Sequence, residues 1–521
     1  MRNKSFLFLL VLSILTSCNF PSPEMTVATE TALAARETLY ADIFPDVNEN
    51  TATPPIFYTP TFNPTGVGTI ISPINTPTSQ LEPTLAPDML RYYSQSGDTL
   101  AVIAAHFGVA VEDIYSAATL PPTSLLPVGT ICAVPDAFEE KPPHNKPALP
   151  DSEVIYGPGA SDFDLNAFTL QAGGFLRQYS QTIDDIAFSG PEIVEMVAVE
   201  TSTNPRLLLA FLEFRSSWVF GNPEGAAANP YPIGYNSGDK GLYNELMITA
   251  RFLAEGYYGW RTGMLTTLTP AYGTSFRISP DLNAGTVALQ KLFTTLYRQA
   301  TWEDALYGKN GFLVFYSDLF GNPEDRAELA EPLLNANVQQ PELALPFLPG
   351  LRWSFTAGPH AAWQTGTPRA ALDFAPVTGE PACAVSVVWA TAMAPGMVVR
   401  SMRGTLALDL DGDGNEGTGW VIVYMHVAEE GRVPKGTVLA LDDLVGHPSC
   451  ERGNATGTHV HVTRKYNGEW IPTDGPLPMI LDGWQAFAGE GKYEGTLVRA
   501  YQVVTASGWG GGSSSIFRDD F

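Results

Sequence analysis

From residue 91 onward the apolar positions follow different rhythms, and each change of rhythm marks a boundary. Tyr92-Tyr93-Ser94 reads as a short strand. After Gly97-Asp98-Thr99, the residues Leu100, Ile103, Ala104 and Phe107 fall at helical spacing, with Asp98 or Thr99 as the N-cap and Gly108 as the stop. Val111, Ile114 and Tyr115 start a second helix, and residues 127–135 make a closing strand. This predicts a small βααβ module over 89–136, followed by a polar, Pro-rich linker at 137–150. Over 151–345 apolar residues recur every three to four positions, in 193–198, 207–214, 246–253 and 287–296, which predicts a mainly α-helical domain. From 346 to 475 the rhythm becomes short and alternating and rich in Gly, Val and Thr, as in 385–390, 396–399, 420–425 and 460–463. That is the pattern of an antiparallel all-β domain. Strands trailing into a loose tail are expected over 476–521.

The first 88 residues lack these rhythms. Residues 19–88 are rich in Pro and Thr and read as an extended, disordered stalk of polyproline character. Residues 1–18 read as a targeting segment: Arg2 and Lys4 supply positive charge, and the apolar run from Phe6 to Leu15 is too short to span a bilayer stably. Leu15-Thr16-Ser17-Cys18 resembles the bacterial lipobox, which implies lipidation of Cys18 and an extracytoplasmic, membrane-anchored protein.

Composition sharpens this picture. A chain of 521 residues exceeds one core and implies two or three domains plus linkers. With 29 Lys and Arg against 55 Asp and Glu, the formal net charge is -26, which disfavours nucleic-acid phosphates as partners. An exported protein meets oxidising conditions that permit disulfides. Cys383 and Cys450 share a domain and are the natural pair, which leaves Cys132 as a buried free thiol.

Three stretches resemble known families. Gly97-Asp98-Thr99-Leu100, Ile103-Ala104, Phe107-Gly108-Val109 and Pro127-Val128-Gly129 resemble the LysM module, which implies binding to the glycan of peptidoglycan. Asn204-Pro205-Arg206-Leu207-Leu208-Leu209-Ala210, with Leu282-Asn283-Ala284-Gly285-Thr286 later, resembles lysozyme-like transglycosylases. There the acid Glu precedes a Ser. Here Arg215 precedes Ser216, and Glu213 lies on another helix face, so the resemblance implies a domain without that chemistry, with a helical spacer as the other reading.

The chemistry concentrates in the last third, which holds five of the seven histidines. In His459-Val460-His461 the two imidazoles point to one face of a strand. His360 in Gly358-Pro359-His360, Asp373 in Ala371-Leu372-Asp373-Phe374 and His426 in Tyr424-Met425-His426 come from separate strands. Zinc takes such N and O ligands in a tetrahedral array, and a catalytic site keeps one position for water. In chain order the set resembles the LytM, lysostaphin and β-lytic zinc endopeptidases. The 13-residue step from His360 to Asp373, and Cys450 before the H-x-H approach, are similar to the β-lytic branch. The resemblance implies zinc held by His360, Asp373 and His461, with His426 and His459 acting on the water and the developing oxyanion. It implies hydrolysis of peptidoglycan peptides, with the LysM module concentrating the protein on glycan. The other readings are a non-catalytic relative that activates cell-wall amidases and a glycan-binding wall anchor. Asp409, Asp411 and Asp413, before Gly412 and Gly414, resemble a calcium loop, although Trp420 stands where a bidentate Glu is expected; an acidic hairpin tip is the alternative.

Overall fold

In the module that resembles LysM the strands and the caps of the first helix form as read. Strands β1 (Met89–Tyr93) and β2 (Ile131–Pro135) pair antiparallel around helix α1 (Leu100–Phe107). The Thr99 side chain accepts the Val102 N–H, and Gly108 closes α1 in the left-handed region at φ 72°. The expected second helix is a correction: residues 111–113 form only a single 3-10 turn. Tyr115 instead exchanges both backbone hydrogen bonds with Ala133, so pairing to the closing strand ends the helix before it propagates.

The structure, a computed structural model, describes residues 86–363 and 368–519. Cys18, the targeting segment and nearly all of the Pro/Thr-rich stretch lie outside the described residues. All of the described residues belong to one compact unit. Among them, no helix is long and apolar enough to cross a membrane. The Pro-rich stretch at 137–150 lies along the helical domain instead of spanning free: Ala148 N–H donates to Thr286 Oγ1, Tyr307 hydroxyl donates to the Lys146 carbonyl, and His144 stands edge-on to Phe276 and Trp302.

The middle domain is helical, as the periodicity predicts. A hairpin of β3 (Ser180–Ile183) and β4 (Ile186–Ser189) leads into α2 (Gly190–Thr201), α3 (Pro205–Ser216), α4 (Leu242–Arg261) and α5 (Ala284–Leu296). Ser189 and Glu192 form a capping box at the start of α2, and Asn204 with Pro205 starts α3. Leu207 to Leu212 are all buried, and Gly256 of α4 lets the backbone of α5 approach: a Cβ there would stand 2.6 Å from Ala288 Cα. Glu213 is consumed structurally, accepting the N–H groups of Val219 and Phe220.

The last third is built on one antiparallel sheet. Its strands are β5 (Arg352–Ala361), β6 (Arg369–Pro376), β7 (Gly396–Met402), β8 (Thr405–Asp409), β9 (Trp420–Met425), β10 (Val438–Leu439), β11 (Val460–Tyr466) and β12 (Glu469–Trp470). A second sheet of β13 (Ile480–Leu481), β14 (Trp484–Ala488), β15 (Gly495–Arg499) and β16 (Gln502–Thr505) packs on it. Here the expectation of a loose tail is corrected. Strand β17 (Ser515–Phe517) returns to pair with β5, so the main sheet runs β10-β7-β8-β9-β11-β6-β5-β17 with β12 beside β11.

Alternation sorts the two faces of this sheet. Phe355, Leu372, Phe374, Leu406, Leu408, Ile422, Tyr424, Val460 and Val462 enter the apolar core. Asp373, His461, Thr463 and Lys465 fall on the opposite face. That polar face meets the helical domain: Trp470 N–H donates to Tyr258 hydroxyl, its indole N–H to the Thr201 carbonyl, and Ser202 hydroxyl to the Gly468 carbonyl.

Candidate metal and catalytic centre

Register brings the first two site residues together. His461 of β11 lies directly across from Asp373 of β6, and Met425, the last residue of β9, flanks His461 on the other side. Directly opposed side chains start about 5 Å apart at Cβ, close enough for an imidazole and a carboxylate to meet. His360 arrives from β5 through an irregular stretch: the register shifts between Ala357 and His360, and Gly358 and Pro359 take up the slack. A Cβ on Gly358 would stand 2.5 Å from the Glu494 carbonyl, so a side chain there would push out the second sheet's hairpin.

The three side chains form a nearly regular triangle. His360 Nε2 lies 3.1 Å from His461 Nδ1 and 3.3 Å from Asp373 Oδ1, and His461 Nδ1 lies 3.1 Å from Asp373 Oδ1. Ligands about 2.0–2.1 Å from a tetrahedral zinc stand roughly 3.3 Å from one another. The remote ring nitrogens fix the tautomers. His360 Nδ1 is 2.9 Å from the Gly358 carbonyl and His461 Nε2 is 3.1 Å from the Ala362 carbonyl. A carbonyl only accepts, so both remote nitrogens carry the proton, and the nitrogens facing inward are bare lone pairs. Asp373 Oδ1 is buried and has no hydrogen-bond donor among the described residues. Three proton-free lone pairs at this spacing repel one another unless a cation sits between them, so this donor set fits a tetrahedral metal.

Burial pushes the Asp373 carboxyl up, but the positive charge that His360 and His459 carry when protonated outweighs it and holds the carboxyl well below the usual carboxylate range, so Asp373 enters the triangle ionised. His426 follows β9 in the left-handed region at φ 61°. Its carbonyl is held by the Ser449 N–H at 2.7 Å and the Ser449 hydroxyl at 3.0 Å. Its Nδ1 faces the Glu451 carbonyl at 3.0 Å, and its ring stands 4.4 Å from that of His459. Burial, then His459 and His461, push the His426 imidazole down to about 3, so it is neutral at ordinary pH. His459 Nδ1 lies 2.7 Å from the Gly457 carbonyl, and its Nε2 is 3.5 Å from Asp373 Oδ2. All five residues singled out in the sequence therefore meet in one place.

The loop before His459 is pinned from behind. Cys383 and Cys450 form the expected disulfide, and Cys132 is free and buried. Thr458 hydroxyl donates to the Ala384 carbonyl at 2.6 Å. The acidic run stands apart from this centre. Carboxylates of Asp409, Asp411 and Asp413 lie within 4.8 Å of one another. Asp409 is fully buried, and its oxygens accept the N–H groups of Asp411, Gly412 and Gly414, as in a hairpin tip that satisfies its own turn. Sequence reasoning missed Tyr493, whose ring lies 4.9 Å from that of His360. It also missed the carbonyls of Gly358, Ala362, Glu451 and Gly457, because a backbone acceptor leaves no signature in residue identity.

Comparison with known proteins follows the same division. Residues 95–135 match the LysM domain, and residues 147–334 match the LasA N-terminal domain. That second match falls on the helical region, where the sequence resembles lysozyme-like transglycosylases. Protease LasA from Pseudomonas aeruginosa strain UCBPP-PA14 is 26% identical over 354 residues, covering 63% of this chain and 76% of the relative. LasA of strain PAO1 gives the same values. Among solved structures, the metalloprotease pseudoalterin from the deep sea aligns at 20% identity and a TM-score of 0.27, over 33% of this chain and 96% of its own. The catalytic domain of lysostaphin from Staphylococcus simulans aligns at 18% identity and a TM-score of 0.18, over 24% of this chain and 89% of its own. The family matches and the LasA relatives identify a LysM module, then a LasA-type N-terminal domain, ahead of a domain that resembles the LytM, lysostaphin and β-lytic metallopeptidases.

Proposed function

We propose that this protein is a zinc-dependent endopeptidase of the bacterial cell wall that cuts peptide bonds of peptidoglycan. The observation that carries this reading is the triangle of bare lone pairs on His360, Asp373 and His461 beside the facing rings of His426 and His459. The similarity to a named protease supports the reaction class, and the LysM match supports the wall as its place of action. His360 Nε2, Asp373 Oδ1 and His461 Nδ1 would hold the metal. Zinc bound there supplies a Lewis acid and a water acidified toward neutrality.

The protein's own groups do the rest. His459 is the group placed to accept the proton: its Nδ1 faces the Gly457 carbonyl, which leaves Nε2 free to take one, 3.5 Å from Asp373 Oδ2. His426, aimed by the Glu451 carbonyl, stands with its ring 4.4 Å from that of His459 and is placed for the oxygen on which charge develops. The disulfide and Ser449 keep both rings oriented. The reading extends to location: Cys18 carries lipid and holds the protein at the outer face of the membrane.

Zinc content and release of new amino termini from purified peptidoglycan test this in the full-length protein. One zinc per chain with release is the expected result. A folded protein with neither property overturns the proposal and moves the chain to the non-catalytic regulators of amidases.

A further inference from the structure

Two arginines on the rim of the polar face stand out by their partners. Arg403 sits at the tip between β7 and β8, and Arg452 lies between Cys450 and His459. Arg403 Nη2 and Nε donate to Asp184 Oδ2 at 2.5 and 3.1 Å, and Nη1 to Glu200 Oε1 at 3.3 Å. Arg452 Nη1 donates to the same Asp184 oxygen at 3.1 Å, and Nη2 to Glu200 Oε2 at 2.7 Å and to the Tyr243 hydroxyl. All of these acceptors belong to the helical domain. From its own domain, Arg452 has the face of Trp363 at 5.9 Å. Arg400, on the neighbouring strand, shows the contrast: it is satisfied at home by Glu416 and Thr405.

Among the described arginines, backbone conformation marks the same pair. Arg403 and Arg452 sit at φ 48° and 66°, the left-handed region that L side chains avoid. Strain of this kind persists where the surrounding structure holds it, and it gathers at ligand clamps. Two guanidiniums converging on one carboxylate oxygen, Arg452 between the rings of Tyr243 and Trp363 and Arg403 over those of Tyr243 and Phe188, form a carboxylate cage.

The cage borders the catalytic centre. The residue before Arg452 aims His426 through its carbonyl, and a Cβ on Gly453, the residue after it, would stand 3.5 Å from His426 Cε1. The residue before Trp363 aims His461. The occupant is a finger: Asp184 and Asp185, at φ 50° and 65°, form the turn between β3 and β4, and the Asp184 side chain is 57% exposed.

We propose that Arg403 and Arg452 form a carboxylate-binding subsite beside the His/Asp centre that takes a free carboxylate of a cell-wall peptide, and that Asp184 and Glu200 stand in for it in this structure. This rests on the peptidase reading above. An ordinary interdomain contact would respond alike to loss of either side of the ion pairs. A substrate subsite responds in opposite directions.

The experiment uses the full chain and cross-linked stem peptides, each prepared with free carboxylates and as carboxamides. Binding is measured by calorimetry on zinc-stripped protein, so hydrolysis is not required. Asp184→Asn with Glu200→Gln empties the cage and should tighten the carboxylate peptide at least tenfold while leaving the carboxamide unchanged. Arg403→Met with Arg452→Met breaks the same contacts but should abolish the preference for carboxylate. Arg403→Lys with Arg452→Lys, which keeps the charge, should retain part of it and replaces the Met pair if that protein does not fold. Equal shifts in the acid and arginine variants, or a carboxylate preference that survives loss of both guanidiniums, overturn the inference. Zinc content of the same proteins reports separately on the peptidase reading.

Discussion

Asp373 faces three of the four histidines of the centre. One oxygen faces His360 and His461 and the other faces His459, so on the proposed reading its removal would strip a metal ligand and the counter-charge of the proton acceptor together. Asp373→Ala should lower zinc from one per chain to near zero and abolish peptidoglycan hydrolysis, measured by elemental mass spectrometry and by amine release. His459→Ala should keep the zinc and lose the hydrolysis, because His459 meets Asp373 through Oδ2 and not through the Oδ1 of the triangle. Zinc loss in His459→Ala would show the roles to be assigned wrongly. At this scale the sequence was informative, because the chemistry belongs to side chains whose order and strand context survive in one dimension. The carbonyls that set the tautomers were invisible for the opposite reason.

At the scale of elements, the loop approaching His459 and the hairpin of β11 and β12 carry the sharpest expectations. Reducing the disulfide frees a loop closed over a sequence separation of 67 residues. Cys383→Ser with Cys450→Ser should therefore cost about 3–4 kcal/mol, read from denaturant midpoints. In the hairpin, Asn467 and Gly468 turn at φ 47° and 80°, and a Cβ on Gly468 would stand 2.1 Å from the Tyr156 carbonyl. Gly468→Ala should loosen the helical domain from the sheet, seen as a separate, earlier thermal transition. Period-two alternation exposed β9 and β11 because one face is core and the other is not. The three residues of β17 carried no such signal behind a glycine-rich run, and they become a strand only because β5 offers an unpaired edge. The second LysM helix failed likewise, as tertiary pairing of Tyr115 overrode a local pattern.

Across the whole molecule, three regions meet on Arg261. Its guanidinium reaches Asp151 at 2.9 Å and Glu469 of β12 at 2.8 Å, with Tyr257 at 3.0 Å and Ser96 of the LysM module at 3.5 Å. Asp98 and Glu331 lie nearby, so carboxylates outnumber the one cation. Burial, then Asp151, push the Glu331 carboxyl up to about 7, and burial pushes Asp98 up to about 6. A carboxyl raised in the folded state stabilises it fully below the unfolded value. The stability is lost as pH climbs to the folded value. Thermal stability should thus fall between about pH 4.5 and 7, the ordinary and raised values of Glu331. Glu331→Gln keeps an acceptor for the Ser152 N–H and should flatten that slope in calorimetric scans. Arg261→Met leaves Asp151 and Glu469 buried without their cation and should cost about 3–5 kcal/mol.

The same junction changes what a LysM module does for this protein. The Gln95 side chain donates to the Asp281 carbonyl, Ser96 exchanges hydrogen bonds with Leu334, and His106 stacks on Trp260 at 3.5 Å. A module on a slack tether lets its partner sample a sphere of positions. One held at several points fixes a single offset and direction, so on the proposed reading the protein would work like a caliper. Glycan gripped by one jaw would present its peptides to the other at a constant interval along the strand.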